Sequence, residues 1–122
     1  MELLELGLKQ IVRLENEKGE RIFIPKQRIN FFTYFIESKK IKINGYEDII
    51  TNPKEIIESL GGIDNFIVLG GENYKTFIRF EGITSIIIQK DKSIIYVDGK
   101  QIMVSNLRES NIEKWEEKLS EL

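Results

Sequence analysis

Two dipeptides, Asn44-Gly45 and Asp98-Gly99, constrain this chain more than anything else in it. Each interrupts a run of β-branched residues. Asn-Gly and Asp-Gly accept positive φ at both central positions of a type I′ turn, whose twist suits two antiparallel strands. Each pair therefore predicts a hairpin, with arms at 39–43 and 46–50 and at 93–97 and 100–104. Lys42 is expected opposite Glu47 across the first, a favourable cross-strand pair.

The two hairpins sit in matching surroundings. Shifted by about 54 residues, Phe23-Ile24 falls on Phe77-Ile78, Ile29 on Ile83, Ile41 on Ile95, Ile43 on Val97, Ile50 on Val104, Asn52 on Asn106 and Glu55 on Glu109. Turn and cap residues match as well as apolar ones, which predicts an internal duplication. Each copy offers strands before its hairpin, at 10–14, 21–24 and 29–36 and at 65–69, 76–80 and 83–88. Each copy then ends on a helix signal. Asn52-Pro53-Lys54-Glu55 supplies an N-cap, a proline at the first helical position and a carboxylate in the first turn. Gly61-Gly62 stops that helix after Leu60. In the second copy Asn106 with Glu109 competes with the capping box Ser110-Asn111-Ile112-Glu113. Either start puts Ile112, Trp115 and Leu119 on one face, and Trp115 is predicted buried. The expected fold is α+β. It has two tandem copies of an antiparallel β-rich module, each ending in a helix and related by an approximate two-fold, at 1–60 and 61–122 and packed as one compact unit.

The module resembles the short flagellar proteins of the FlbD/SwrD type. The resemblance rests on Val12-Arg13-Leu14, Phe23-Ile24, Ile29, Ile41-Lys42-Ile43-Asn44-Gly45 and residues 53–60. In the second copy it rests on Val68-Leu69, Phe77-Ile78, Ile83 and Ile95-Tyr96-Val97-Asp98-Gly99-Lys100. It covers nearly the whole chain twice over, and implies a non-catalytic accessory role near a flagellar motor or, in a phage-borne relative, another partner.

Composition excludes several chemistries. The chain has no Cys and no His among its 122 residues, so disulfides, thiolate nucleophiles, the usual zinc sites and imidazole bases are ruled out. No Asp-x-Asp-x-Asp loop, Gly-x-Ser-x-Gly or P-loop occurs, and Gly61-Gly62 and Gly70-Gly71 read as a helix stop and a turn. No enzyme activity and no cofactor is expected. A net charge of -2 makes nucleic acid an unlikely partner, local patches aside. Met1-Glu2-Leu3-Leu4-Glu5-Leu6 carries acids where a signal peptide needs bases, and its apolar run is too short to span a membrane. A cytoplasmic protein is expected.

The densest aromatic segment is Phe31-Phe32-Thr33-Tyr34-Phe35. A strand sends alternate side chains to opposite faces, so Phe31 and Phe35 share one side and Phe32 and Tyr34 the other. Two readings stay open: core packing on both faces, or one face exposed as an oligomer interface or a stacking platform. Lys26, Arg28, Lys39, Lys40 and Lys42 cluster nearby in sequence, either as a solvated edge or as a clamp for a phosphate or carboxylate. Candidate ligand or interface residues are therefore Arg28, Phe31, Phe32, Tyr34, Phe35 and Lys40. The functional classes are a protein–protein adaptor, a phage-encoded protein that sequesters a small anionic ligand such as a nucleotide signal, and a structural subunit. A homodimer or higher oligomer is expected, because two small modules have little interior in which to hide the apolar residues of 31–36 and 86–88.

Overall fold

The computed structural model describes residues 10–90 and 93–105. Ten strands, three 3-10 turns and one short helix make up these residues. The first half contains β1 (Ile11–Glu15), β2 (Arg21–Pro25), a 3-10 turn (Lys26–Arg28), β3 (Phe31–Phe35), β4 (Lys40–Ile43), β5 (Tyr46–Ile49) and α1 (Pro53–Ser59). The second half contains a 3-10 turn (Ile63–Asn65), β6 (Phe66–Gly70), β7 (Tyr74–Arg79), a 3-10 turn (Phe80–Gly82), β8 (Ile83–Ile88), β9 (Ser93–Val97) and β10 (Lys100–Ser105).

Local turn chemistry sets the hairpins. Asn44 and Gly45 have φ of 49° and 84°, and Asp98 and Gly99 have 53° and 75°, so both central positions of each turn are left-handed. Lys42 lies 3.6 Å from Glu47. The α1 helix begins where the Asn52 side chain accepts the Lys54 amide at 2.9 Å, with Pro53 in the first turn. It ends at Leu60, followed by Gly61 and Gly62 with φ near 100°.

Three antiparallel sheets stack in layers. The central sheet runs β5-β4-β3-β7-β6, the ribbon β1-β2 stands apart, and a third sheet runs β10-β9-β8. One face of the central sheet packs on the ribbon and α1, through Phe32, Ile41, Ile43, Ile49, Phe66 and Phe77 against Val12, Leu14, Ile24, Ile56 and Leu60. Phe32 stacks on Phe77 with centroids 4.9 Å apart, and Phe66 meets both rings edge-on. The other face carries Ile67 and Ile78 against Ile95 and Val97 of the third sheet.

This architecture corrects the expected fold. It is not two tandem modules each closed by a helix: strands dominate, α1 is the one α-helix among the described residues, and the central sheet mixes strands of both halves. The join is β3 with β7, paired from Phe31↔Ile78 to Phe35↔Tyr74. Their counterparts β8 and β2 are not paired with each other. Turn dipeptides specify only the strands on either side of them, and the free edge of β3 takes β7 from far along the chain. The expected second helix, with Trp115, lies outside the described residues.

The aromatic part of the motive for an oligomer falls away, while Ile87 and Ile88 of β8 are exposed. Phe32 has no solvent exposure, Phe31 packs into the second core cluster, and Tyr34 packs against the first. The aromatic strand is sandwiched between layers of its own chain, with Phe35 as its exposed end.

Candidate functional site

One end of the molecule gathers three turns. The β1–β2 turn is organised by Asn16, whose side-chain oxygen accepts the amides of Lys18 and Glu20 at 3.1 and 2.9 Å. The Glu17 amide donates to the Asp48 carbonyl at 2.9 Å, which seats this turn beside β5. The Ile36 amide donates to the Asn73 carbonyl at 3.0 Å, which draws the β3–β4 turn to the β6–β7 turn. Lys39 occupies the left-handed region, with φ of 60°, in the β3–β4 turn.

Lys18, Lys39, Lys40 and Lys75 lie at this end, beside the exposed acids Glu20, Glu37 and Glu72, with Lys42 further along β4 opposite Thr33. The Lys40 ammonium sits 3.0 Å from Glu17 and 3.7 Å from Asp48. Its hydrogen bond to the Glu17 carboxylate, with the charge of Glu17 and Asp48, raises its pKa above the ordinary lysine value. Lys42 is matched to Glu47. Lys18, Lys39 and Lys75 are exposed and have no ion-pair partner among the described residues. Phe35 and Tyr74 face each other across β3 and β7 here, 41% and 39% exposed.

The six candidate residues do not converge. Phe35 and Lys40 are cross-strand partners at this end. Arg28 lies beyond the other end of β3, where its carbonyl accepts the Asn44 side-chain amide at 2.9 Å. The length of β3 puts about 13 Å of strand between the two ends. Phe31, Phe32 and Tyr34 lie in the packed layers between them. Among the described residues no aromatic pocket is closed by Arg28.

At the Arg28 end, Arg79 joins the halves. Its guanidinium donates to the carbonyls of Lys26 and Ile29 at 2.7 and 3.0 Å and to Glu81 at 3.2 Å. Asn30 donates to Asp98 at 2.8 Å close by.

A second exposed feature escaped the sequence reading. The β1–β2 ribbon turns Val12, Leu14, Ile22 and Ile24 inward, leaving Arg13, Glu15, Arg21 and Phe23 on its outer face. A groove of about 600 Å³ runs over that face and is bordered by Ile50, Thr51, Asn52 and Glu55. The period-2 alternation of Arg13-Leu14-Glu15 and Arg21-Ile22-Phe23 is the sequence signal that encodes it. Among the described residues no group of acidic side chains has the arrangement of a metal site, and no helix is long and apolar enough to cross a membrane.

No protein-family model matches the chain, and no curated protein does. A solved structure does: the LytTr DNA-binding domain of a protein described as a methyl-accepting/DNA response regulator from Bacillus cereus. It superposes with a TM-score of 0.55 at 19% identity, over 87% of this chain and 95% of that one. This likeness of fold replaces the expected resemblance to the FlbD/SwrD flagellar proteins. The adaptor and ligand-sequestering readings go with it, and the aromatics and Arg28 that a sequestering pocket needed are not brought together.

Proposed function

We propose that this chain is a non-catalytic domain that binds double-stranded DNA through its three-turn end. The observation that carries the reading is the likeness, over nearly the full length of both chains, to a domain described as DNA-binding. The exposed lysines support it. Lys18, Lys39 and Lys75 stand on or beside turns at one end of the sheet, where projecting tips can reach a duplex. Ser38 and Asn73 add polar side chains on the same turns.

The reading reverses the expectation that nucleic acid is unlikely. Net charge belongs to the whole chain, whereas DNA meets one surface. Residues 106–122 hold Glu109, Glu113, Glu116, Glu117 and Glu121 against Arg108, Lys114 and Lys118, a balance that equals the net charge of -2, while the three turns carry Glu17, Glu20, Glu37 and Glu72 beside their lysines. Binding to DNA also keeps the chain in the compartment that holds DNA, as a cytoplasmic location would.

Three phosphate contacts predict a modest salt dependence. Each neutralised phosphate contributes about -0.9 to the slope of log K against log salt, so a slope of about -3 is expected. Fluorescence anisotropy with a labelled 30-base-pair duplex between 50 and 200 mM salt measures it. Combining Lys39→Glu with Lys75→Glu should weaken binding at least tenfold and flatten the slope. No binding by the parent chain at 50 mM salt would defeat the proposal.

A further inference from the structure

The ribbon's outer face has a composition that a solvated strand face does not require. Phe23 is 53% exposed, and Ile50 beside it is 49% exposed. Arg13 lies directly across from Phe23 in the antiparallel register, and Arg21 is two residues away on the same face. Arg13 and Arg21 stand diagonal to each other, about 7–8 Å apart between Cα atoms, with Phe23 adjacent to both and Glu15 directly across from Arg21. Glu15 and Glu55 border the same groove, yet neither arginine forms an ion pair with any described residue.

We propose that this groove binds an unpaired nucleotide of a nucleic-acid strand. Phe23 stacks on the base, and Arg13 and Arg21 hold the phosphates on either side of it. An exposed aromatic beside cations is the arrangement that grips single strands: every base offers a π face, and guanidinium groups match phosphate oxygens in pairs. The groove is of the size that small planar groups occupy. Asn52 commits its side-chain oxygen to the Lys54 amide and keeps its NH₂ donors, while the Thr51 oxygen accepts the Glu15 amide and its hydroxyl proton remains to donate. The Glu15 and Glu55 carboxylates accept from the amino groups of adenine, cytosine or guanine, which thymine lacks.

The choice of a nucleic-acid strand rests on the DNA-binding reading, but the surface differs from the three-turn end, and the two are separable. The experiment uses the full chain with labelled 15-mers of deoxycytidine and of deoxythymidine beside the 30-base-pair duplex, at 50 mM salt. The expected result is binding of the single strands, tighter for the cytidine oligomer. Phe23→Ala should weaken it roughly 5- to 150-fold, the range of one lost stack, and Phe23→Tyr should restore it. Arg13→Ala and Arg21→Ala should each weaken it and flatten its salt dependence. Duplex affinity should change little in these variants, while Lys39→Glu with Lys75→Glu should do the reverse. Duplex binding without single-strand binding would overturn this proposal and leave the DNA-binding reading standing. Single-strand binding that is indifferent to Phe23→Ala would overturn the site. Displacement of the oligomer by an equimolar mononucleotide would overturn the assignment to a strand.

Discussion

Within a single strand, Phe32 and Phe35 show how much position decides. Phe32 has no exposure and contacts both Phe66 and Phe77. Truncating it leaves a cavity that the facing rings cannot fill, so Phe32→Ala should cost about 3–5 kcal/mol, read from the urea midpoint. Phe35, three residues on, is 41% exposed, and Phe35→Ser should cost less than about 1 kcal/mol. Equal losses would mean that the strand is not layered as described. Gly70 gives a different kind of residue-scale constraint. Its φ is 137°, and an added Cβ would run into the backbone carbonyl oxygen of Tyr74. Gly70→Ala should therefore destabilise by about 1–3 kcal/mol, through backbone strain rather than lost contacts. Alternation along β3 is legible in Phe31-Phe32-Thr33-Tyr34-Phe35, because it follows from the pleat alone. Which residues end up deepest is not, since that depends on the layers laid over each face.

At the scale of elements, Arg79 is the clasp between β7 and the segment leading into β3. Its side chain is 13% exposed, and it satisfies two carbonyls of that segment. Nη1 serves both carbonyls while Nη2 reaches Glu81; lysine lacks the second nitrogen and the planar group that fixes the first, so Arg79→Lys should cost about 1–3 kcal/mol and raise hydrogen exchange at the Ile29 amide. Unchanged protection there would show that the clasp is not needed. The Lys40 cluster makes a pH prediction. Its pKa is raised above 10.5 in the folded chain, so its stabilisation is fully present below that value and is lost as pH rises through the folded pKa. Lys40→Met should lower the thermal midpoint equally at pH 7 and pH 9, with the difference closing only in stronger alkali. The two glycine turns and the α1 boundaries were readable because caps and turns are local. Glu17 was not readable as the partner of Lys40, which lies 23 residues on, because only the folded ribbon brings the β1–β2 turn over β4. The outer face of the ribbon was encoded in alternation, but nothing in sequence says whether an outer face stays bare.

For the whole molecule, the decisive contact is the one between halves. Phe66 and Phe77 come from the second half and complete the core cluster that holds Val12, Leu14, Phe32 and Ile56 of the first. Phe31 of the first half packs into the second cluster. Cutting between them strips each cluster of its partners and bares the facing edges of β3 and β7, with five paired positions lost. Chains of about 60 residues already bury little surface, so neither half has stability to spare. Residues 1–60 and 61–122 made separately should each lack a cooperative thermal transition by circular dichroism. The full chain should unfold in one step, with circular dichroism and Tyr or Trp fluorescence giving coincident midpoints. A half that melts cooperatively alone would mean that the repeated turns mark a self-sufficient unit after all, and that β3 and β7 are an interface between domains. Coincident transitions, with both halves unfolded, would mean that the shared sheet is what makes this chain one domain despite its two similar sets of turns.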